Sequence, residues 1–307
     1  MQTRSIGSLE VSVVGVGCNN FGSRLDQTAT DEVVGAALDA GITLFDTADI
    51  YGGTRSEEYL GKALGARRDE VAIASKFGME VDGARGGAAP DYVRQACDDS
   101  LRRLRTDRID LYQLHVPDPA VPIADTLGAL HELQAAGKVI EIGCSNFTAD
   151  QLGEAATAAG GAGAFRSVQN QYSLLWRLPE TDGVLAACDA DSMALLPYYP
   201  LANGLLTGKV RPGQPIPEGT RLALMPADRS SHWLSDAFTT KVGALLSFAE
   251  DRGVSMLSIA FSWLLSHGSV SSVIAGASTA EQVRANAAAP LTLADDVIAA
   301  LDSLTGE

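Results

Sequence analysis

Eight short apolar runs, separated by helical patterns, leave this chain few folds to choose from. The runs are VSVVGVG (11–17), ITLFD (42–46), VAIASK (71–76), RIDLYQLH (108–115), VIEIGCS (139–145), SVQNQ (167–171), MALLPYY (193–199) and SVIAG (272–276). They are rich in Val, Ile and Leu, and read as strands buried on both faces. MALLPYY is weak by composition and is counted because the pattern needs it. Between the runs, residues 31–40 carry Val33, Val34, Ala37 and Leu38 on one face, and Gly41 suits the left-handed C-terminal position. Ser56 is placed to cap a helix with Glu57 and Glu58 in its first turn and Gly65 at its end. Pro90 suits the first turn of a helix running to about Arg103, and Gly137 closes one that begins near Asp125.

Strands alternating with crossover helices imply a parallel sheet. Eight such units in 307 residues fit an α/β fold, a closed (β/α)8 TIM barrel with residues 1–307 as a single domain. The competing arrangement is an open doubly wound sheet, with G-x-G-x-x-G after its first strand. That place reads GVGCNN, with Asn20 where the third glycine belongs. Two segments stand outside the repeat. Residues 1–10 are expected to form an N-terminal hairpin that closes the bottom of the barrel. Residues 203–238, rich in Gly and Pro, form a long loop after the seventh strand, of the kind that is a functional cover or disordered. GARGG (83–87) reads as a flexible loop beside the third strand or as a simple turn.

A net charge of −15 argues against nucleic acid and against an anionic membrane surface as partners. The N-terminus lacks the apolar core of a signal peptide, and no apolar run approaches the roughly 18 residues of a membrane span. The four cysteines, Cys18, Cys97, Cys144 and Cys188, are too scattered for a zinc site or a disulfide framework. No His/Asp/Glu cluster has metal-ligand spacing, so no metal is expected. A soluble, reduced, cytoplasmic protein is the simplest reading.

In a barrel the active site lies at the C-terminal ends of the strands. Strand two ends in Asp46, strand three in Lys76 and strand four in His115, with Tyr51 on the loop after strand two. Taken singly, these are a turn residue, a solvated lysine, a structural histidine and a packed ring. Taken together on adjacent strands about 4.8 Å apart, they are a coincidence harder to dismiss, and read as a candidate proton-transfer site. A nearby ammonium lowers the pKa of a phenol, a paired carboxylate holds the ammonium, and the histidine orients a carbonyl oxygen. Ile50, Phe77, Met79 and Trp176 neighbour the strand ends and are candidates to wall a substrate site, with plain packing as the alternative.

At these residues the sequence resembles the aldo-keto reductase family. The segments that carry the likeness are FDTADIYG, SEEYLGKAL, ASKFG, SLRRLRTDRIDLYQLH, GKVIEIGCSNF, SVQNQYSLLWR, YYPLANGLLTGK and IAGASTAEQVRAN, which span nearly the whole chain. The resemblance implies a (β/α)8 barrel that binds NADPH, with NADH not excluded, and acts on a small-molecule carbonyl or alcohol. By motif, Asp46, Tyr51, Lys76 and His115 match the family's catalytic tetrad, with Tyr51 protonating the carbonyl oxygen. Asp46 belongs to the cofactor set as well. Ser145, Asn146 and Gln169 would hold the carboxamide, and Tyr198 would stack under the nicotinamide. Leu201, Lys209 and Arg221 would line the clamp on the pyrophosphate. Gly276, Ser278, Gln282 and Asn286 would meet the adenosine end, where the start of the last barrel helix offers backbone N–H groups. Some branches carry a Lys and an Arg where this chain has Gly276 and Gln282, and an acidic residue where it has Ala285. The ending and the long loop are most similar to the branch of potassium-channel β subunits and bacterial reductases. Channel-associated members tend to lack the tetrad histidine, so His115 favours a turning-over reductase over a cofactor-binding redox-sensing subunit. The oligomeric state stays open.

Overall fold

The computed structural model describes residues 1–81, 83, 86–160 and 164–306. Ala84 and Arg85 of the GARGG loop lie outside the described residues. The chain opens with an antiparallel hairpin, β1 (Thr3–Ile6) and β2 (Leu9–Ser12), turned at Gly7 with φ +57°. One parallel sheet follows: β3 (Val14–Gly17), β4 (Leu44–Asp46), β5 (Ala72–Phe77), β6 (Ile109–Leu114), β7 (Val139–Ser145), β8 (Ser167–Gln169), β9 (Ala194–Leu195) and β10 (Val273–Gly276). Its strand order is β10-β3-β4-β5-β6-β7-β8-β9. The two edges also meet. Leu195 N–H donates to Ser269 O at 2.7 Å and Ser271 N–H donates to Leu195 O at 3.2 Å, a parallel bridge into the segment that enters β10. The eight strands thus curl into the (β/α)8 fold.

The described helices are α1 (Gln27–Asp39), α2 (Arg55–Leu64), α3 (Pro90–Leu104), α4 (Ile123–Ala135), α5 (Ala149–Ala158), α6 (Leu178–Thr181), α7 (Val184–Asp191), α8 (Ala227–Trp233), α9 (Asp236–Asp251), α10 (Met256–Ser266), α11 (Ala280–Ala288) and α12 (Asp295–Thr305). None is long and apolar enough to cross a membrane.

Strand side chains alternate between two apolar compartments. Leu44, Ala72, Ala74, Leu111, Leu196 and Ile274 fill the inside of the sheet, and Ile6 and Val11 of the hairpin close it from below. Phe45, Ile73 and Tyr112 face the helices. This two-residue period decides the site. Two positions beyond Leu44 is Asp46, two beyond Ala74 is Lys76, and two and four beyond Leu111 are Gln113 and His115. The upper ends of the inner columns are therefore polar.

Several local expectations are corrected. The run 11–17 is two strands: Val11 and Ser12 belong to the hairpin, and β3 begins at Val14. Ser12 makes the break. Its Oγ donates to Val14 O, and its backbone N–H donates to Thr43 Oγ1. MALLPYY supplies only the two residues of β9, because Pro197 has no N–H for the ladder and Tyr199 sits at φ +52°. The first helix starts at Gln27, where Asp26 accepts from Ala29 N–H. Ser56 is not a cap. It lies wholly buried in the first turn of α2, hydrogen-bonded to Thr47 Oγ1 and donating to Cys18 O. The segment 203–238 is partly helical, holding most of a 3₁₀ turn (Ala202–Thr207), all of α8 and the start of α9.

Candidate active site

Lys76 is wholly buried at the upper end of β5. Its Nζ donates to both Asp46 carboxylate oxygens at 2.7 Å and to Thr47 O at 2.8 Å. Burial alone would lower the ammonium pKa, but the Asp46 carboxylate and the Tyr51 phenol hold it above its usual value. Asp46 Oδ1 also accepts from Gln169 Nε2 at 2.9 Å and from Gln113 Nε2 at 3.4 Å. Gln113 sits beside Lys76 in the β5–β6 register. Gly143 opposite it leaves the room: a Cβ there would lie 3.1 Å from Gln113 Cγ and 2.5 Å from Ser167 Oγ. Sequence reasoning passed over Gln113, although an amide two residues before His115 in an apolar strand was the available signal.

The loop after β4 carries Tyr51 over this pair. Thr47 and Asp49 N–H groups donate to Ala74 O and Lys76 O, so parallel pairing continues past the strand end. Gly52, at φ +62°, then turns the chain, and a Cβ there would lie 2.6 Å from Phe21 O. Lys76 Nζ is 5.2 Å from the Tyr51 ring centroid. The His115 ring meets Tyr51 edge-on, with centroids 5.8 Å apart and planes at 80°. Burial raises the phenol pKa, and the Lys76 charge pulls it back only in part, so Tyr51 stays above the ordinary tyrosine value. The expected downward pull of the ammonium is present but is outweighed by desolvation. Burial, then the Lys76 charge, push His115 down to about 3. Its imidazole is neutral at physiological pH, and its Nδ1 is buried without a partner.

A cleft of about 1360 Å³ runs from Asp46, Tyr51 and His115 to the start of α11. Lys76 lies beneath it and acts on it through Asp46 and Tyr51. Ser145, Asn146, Gln169 and Tyr198 line its middle. They are already organised: Ser145 Oγ donates to Gln169 O at 2.7 Å, Asn146 Nδ2 to His115 O at 2.9 Å, and Tyr198 OH to Asn146 Oδ1 at 2.9 Å. Leu201, Lys209 and Arg221 line one side. Arg221 stacks on Tyr199, 4.7 Å from its centroid, and donates to its hydroxyl at 2.9 Å. Tyr199, Arg24 and Asn203 also line the cleft and were not anticipated; Asn203 Oδ1 is buried without a partner.

Gly276, Ser278, Gln282 and Asn286 line the far end. Gln282 Oε1 accepts from Ser278 N–H at 2.8 Å, and Thr279 Oγ1 accepts from Gln282 N–H at 3.2 Å. Two of the backbone donors expected to be free at this helix start are thus taken. Among the candidate substrate residues, Ile50 and Met79 line the cleft. Phe77 does not. It is wholly buried, its ring 4.7 Å from Tyr112 on the helix side of the sheet. Trp176 is likewise outside the lining and lies 6.5 Å from the Trp233 ring of α8. Among the described residues no group of three or more His, Cys, Asp or Glu is placed to hold a metal.

A buried ammonium fixed by a carboxylate, under a phenol and beside a neutral imidazole, can pass a proton to and from an oxygen in the cleft. The model of the aldo/keto reductase family matches residues 13–305. A probable voltage-gated potassium channel subunit beta of Oryza sativa subsp. japonica is 32% identical over 299 residues, covering 93% of this chain and 90% of that protein. The NADP(+) aldo-keto reductase yakc of Schizosaccharomyces pombe is 32% identical over 276 residues, covering 87% of this chain and 80% of its own length. The solved glycerol dehydrogenase from Gluconobacter oxydans superposes with a TM-score of 0.83 at 29% identity, covering 98% of this chain and 94% of the other. In sequence and in fold, the chain belongs to the aldo/keto reductase family of oxidoreductases.

Proposed function

We propose that this protein reduces an aldehyde or ketone to an alcohol, reversibly, with NADPH as the preferred nicotinamide cofactor and Tyr51 as the proton donor. The observation that carries the reading is the buried Lys76–Asp46 pair beneath Tyr51 and His115 at the floor of one long cleft. The cleft suits a dinucleotide. It reaches from Asp46 and Tyr51 to the start of α11, carries the cations Arg24, Lys209 and Arg221, and holds an unpartnered buried amide oxygen on Asn203. Ser145, Asn146 and Gln169 would orient the carboxamide, Tyr198 would support the ring, Leu201, Lys209 and Arg221 would clamp the diphosphate, and Gly276, Ser278, Gln282 and Asn286 would meet the adenosine end. A bound reduced nicotinamide supplies the hydride.

The residues of the chain do the rest. Tyr51, protonated at neutral pH, gives its proton to the carbonyl oxygen. Lys76 stabilises the phenolate that remains, and Asp46 compensates the buried ammonium. His115 is neutral and points the carbonyl at Tyr51 by a hydrogen bond. Ile50 and Met79 are the proposed apolar walls around the substrate. The likeness to a channel β subunit supports a second reading, a cofactor-binding redox sensor with little turnover.

The deciding experiment follows NADPH consumption with a panel of aldehydes and ketones, for wild type and Tyr51→Phe, alongside NADPH and NADH titrations by tryptophan fluorescence. A loss of about 10²–10⁴-fold in kcat with cofactor binding kept is expected. Tight cofactor binding with no turnover by wild type on any carbonyl would favour the sensor, and binding of neither nucleotide would remove both readings.

A further inference from the structure

Behind the Tyr51 loop, on the helix side of the sheet, lies a second group of buried ionisable residues that the reaction above does not use. Glu57 of α2 is wholly buried and accepts from Arg103 Nε at 2.6 Å and from Ser75 Oγ at 2.5 Å. Asp49 is 2% exposed, and its Oδ1 has no hydrogen-bond partner. The Tyr112 hydroxyl beside them is also buried without a partner, and Tyr92 of α3 completes the surroundings. Counting charges gives the direction in which Asp49 is shifted. Among the described residues two cations reach this region, and both are committed: Lys76 to Asp46 and Arg103 to Glu57. A third carboxylate would be desolvated next to Glu57 with no counter-ion of its own among the described residues, and a group so placed holds its proton to a higher pH than a free carboxyl does. In agreement, burial and then the Glu57 charge push the Asp49 carboxyl up to about 7, against weaker pulls from Arg103, from a backbone hydrogen bond given by Ile50 and from Lys76.

Asp49 is also coupled to the chemistry through the backbone. It stands two residues before Tyr51, and its N–H donates to Lys76 O at 3.2 Å. We propose that Asp49 is a positioning residue: while it is protonated the loop stays paired to β5 through the backbone with Tyr51 over Lys76, and when it ionises beside Glu57 it displaces Tyr51. The effect on turnover rests on the reductase reading, whereas the movement of Tyr51 does not.

The test is a pH titration, from about 5.5 to 8.5, of the intact protein labelled with ¹³Cζ-tyrosine, the Tyr51 signal being identified by its loss in Tyr51→Phe. In wild type the Tyr51 signal is expected to move with a midpoint about 7, and in Asp49→Asn to hold its acid-side position throughout. With any carbonyl that is turned over, wild-type kcat should fall roughly tenfold or more through the same midpoint, as expected for a displaced reacting group, and Asp49→Asn should lose that limb with KM for the cofactor unmoved. A Tyr51 signal that stays fixed in wild type, or moves alike in both proteins, overturns the proposal. The wild-type titration decides this even if Asp49→Asn fails to fold. A Tyr51 signal that titrates as expected in a protein with no turnover on any carbonyl supports the positioning role and counts against the reductase reading alone.

Discussion

At the scale of single residues, the site is a problem of buried charge. Lys76 and Asp46 are both almost wholly inaccessible, and each makes the other tolerable. Lys76→Met would leave Asp46 facing Gln169 and Gln113 amides but no cation. Removing one partner of a buried pair costs about 3–5 kcal/mol, because the remaining charge is uncompensated. The expected result is a melting temperature several degrees below wild type, together with a loss of carbonyl reduction of about 10²–10⁴-fold. The double variant Asp46→Asn, Lys76→Met should regain most of the melting temperature and none of the activity. Calorimetry and NADPH consumption on the three proteins would check this. A single variant as stable as wild type would mean that the Gln169 and Gln113 amides compensate Asp46 without a cation.

At the scale of elements, backbone contacts override intrinsic preference. Gly61 lies inside α2, where alanine would favour an isolated helix by about 1 kcal/mol. A Cβ at Gly61 would stand 2.3 Å from Leu104 O, at the end of α3. Gly61→Ala is therefore expected to destabilise, by about 1–3 kcal/mol, with a lower urea midpoint and an unchanged slope. A midpoint at or above that of wild type would mean that α2 and α3 separate without cost. The same priority of contacts over pattern explains what the sequence revealed. Strand periodicity was enough to bring Asp46, Lys76 and His115 to neighbouring inner columns, because the alternation that buries Leu44, Ala74 and Leu111 carries two residues further. It was not enough to divide the run 11–17, since Val11 and Val14 are both apolar and the break comes from Ser12 bonding to Thr43. Nor could it deny Ser56 a capping role, because the hydroxyl is drawn to Thr47 and Cys18, which are distant in sequence. Phe77 and Met79 looked alike after the third strand, but Phe77 falls on the helix face and Met79 on the cleft.

At the scale of the whole molecule, a chain of net charge −15 has to bind an anionic dinucleotide under the proposed reading. Its overall field opposes that ligand, but at physiological ionic strength charges beyond about 8 Å are largely screened. Affinity then depends on the cations inside the cleft. Lys209 and Arg221 come from the segment between β9 and α8, the part of the fold most removed from the regular repeat, and Arg221 is steered by its stack on Tyr199. A hydrogen bond to a charged group contributes about 1.5–3 kcal/mol. Losing one such contact from each residue predicts that Lys209→Ala, Arg221→Ala raises the NADPH Kd by at least about 10²-fold, while kcat at saturating cofactor changes little. The difference should shrink in about 1 M salt, where screening acts within about 3 Å and weakens the wild-type contacts as well. Fluorescence titrations of both proteins at low and high salt would measure it. An unchanged Kd at both salts would mean that this segment covers the cleft without gripping the diphosphate, and the anion would then be left to Arg24 and the unspent backbone N–H groups at the start of α11.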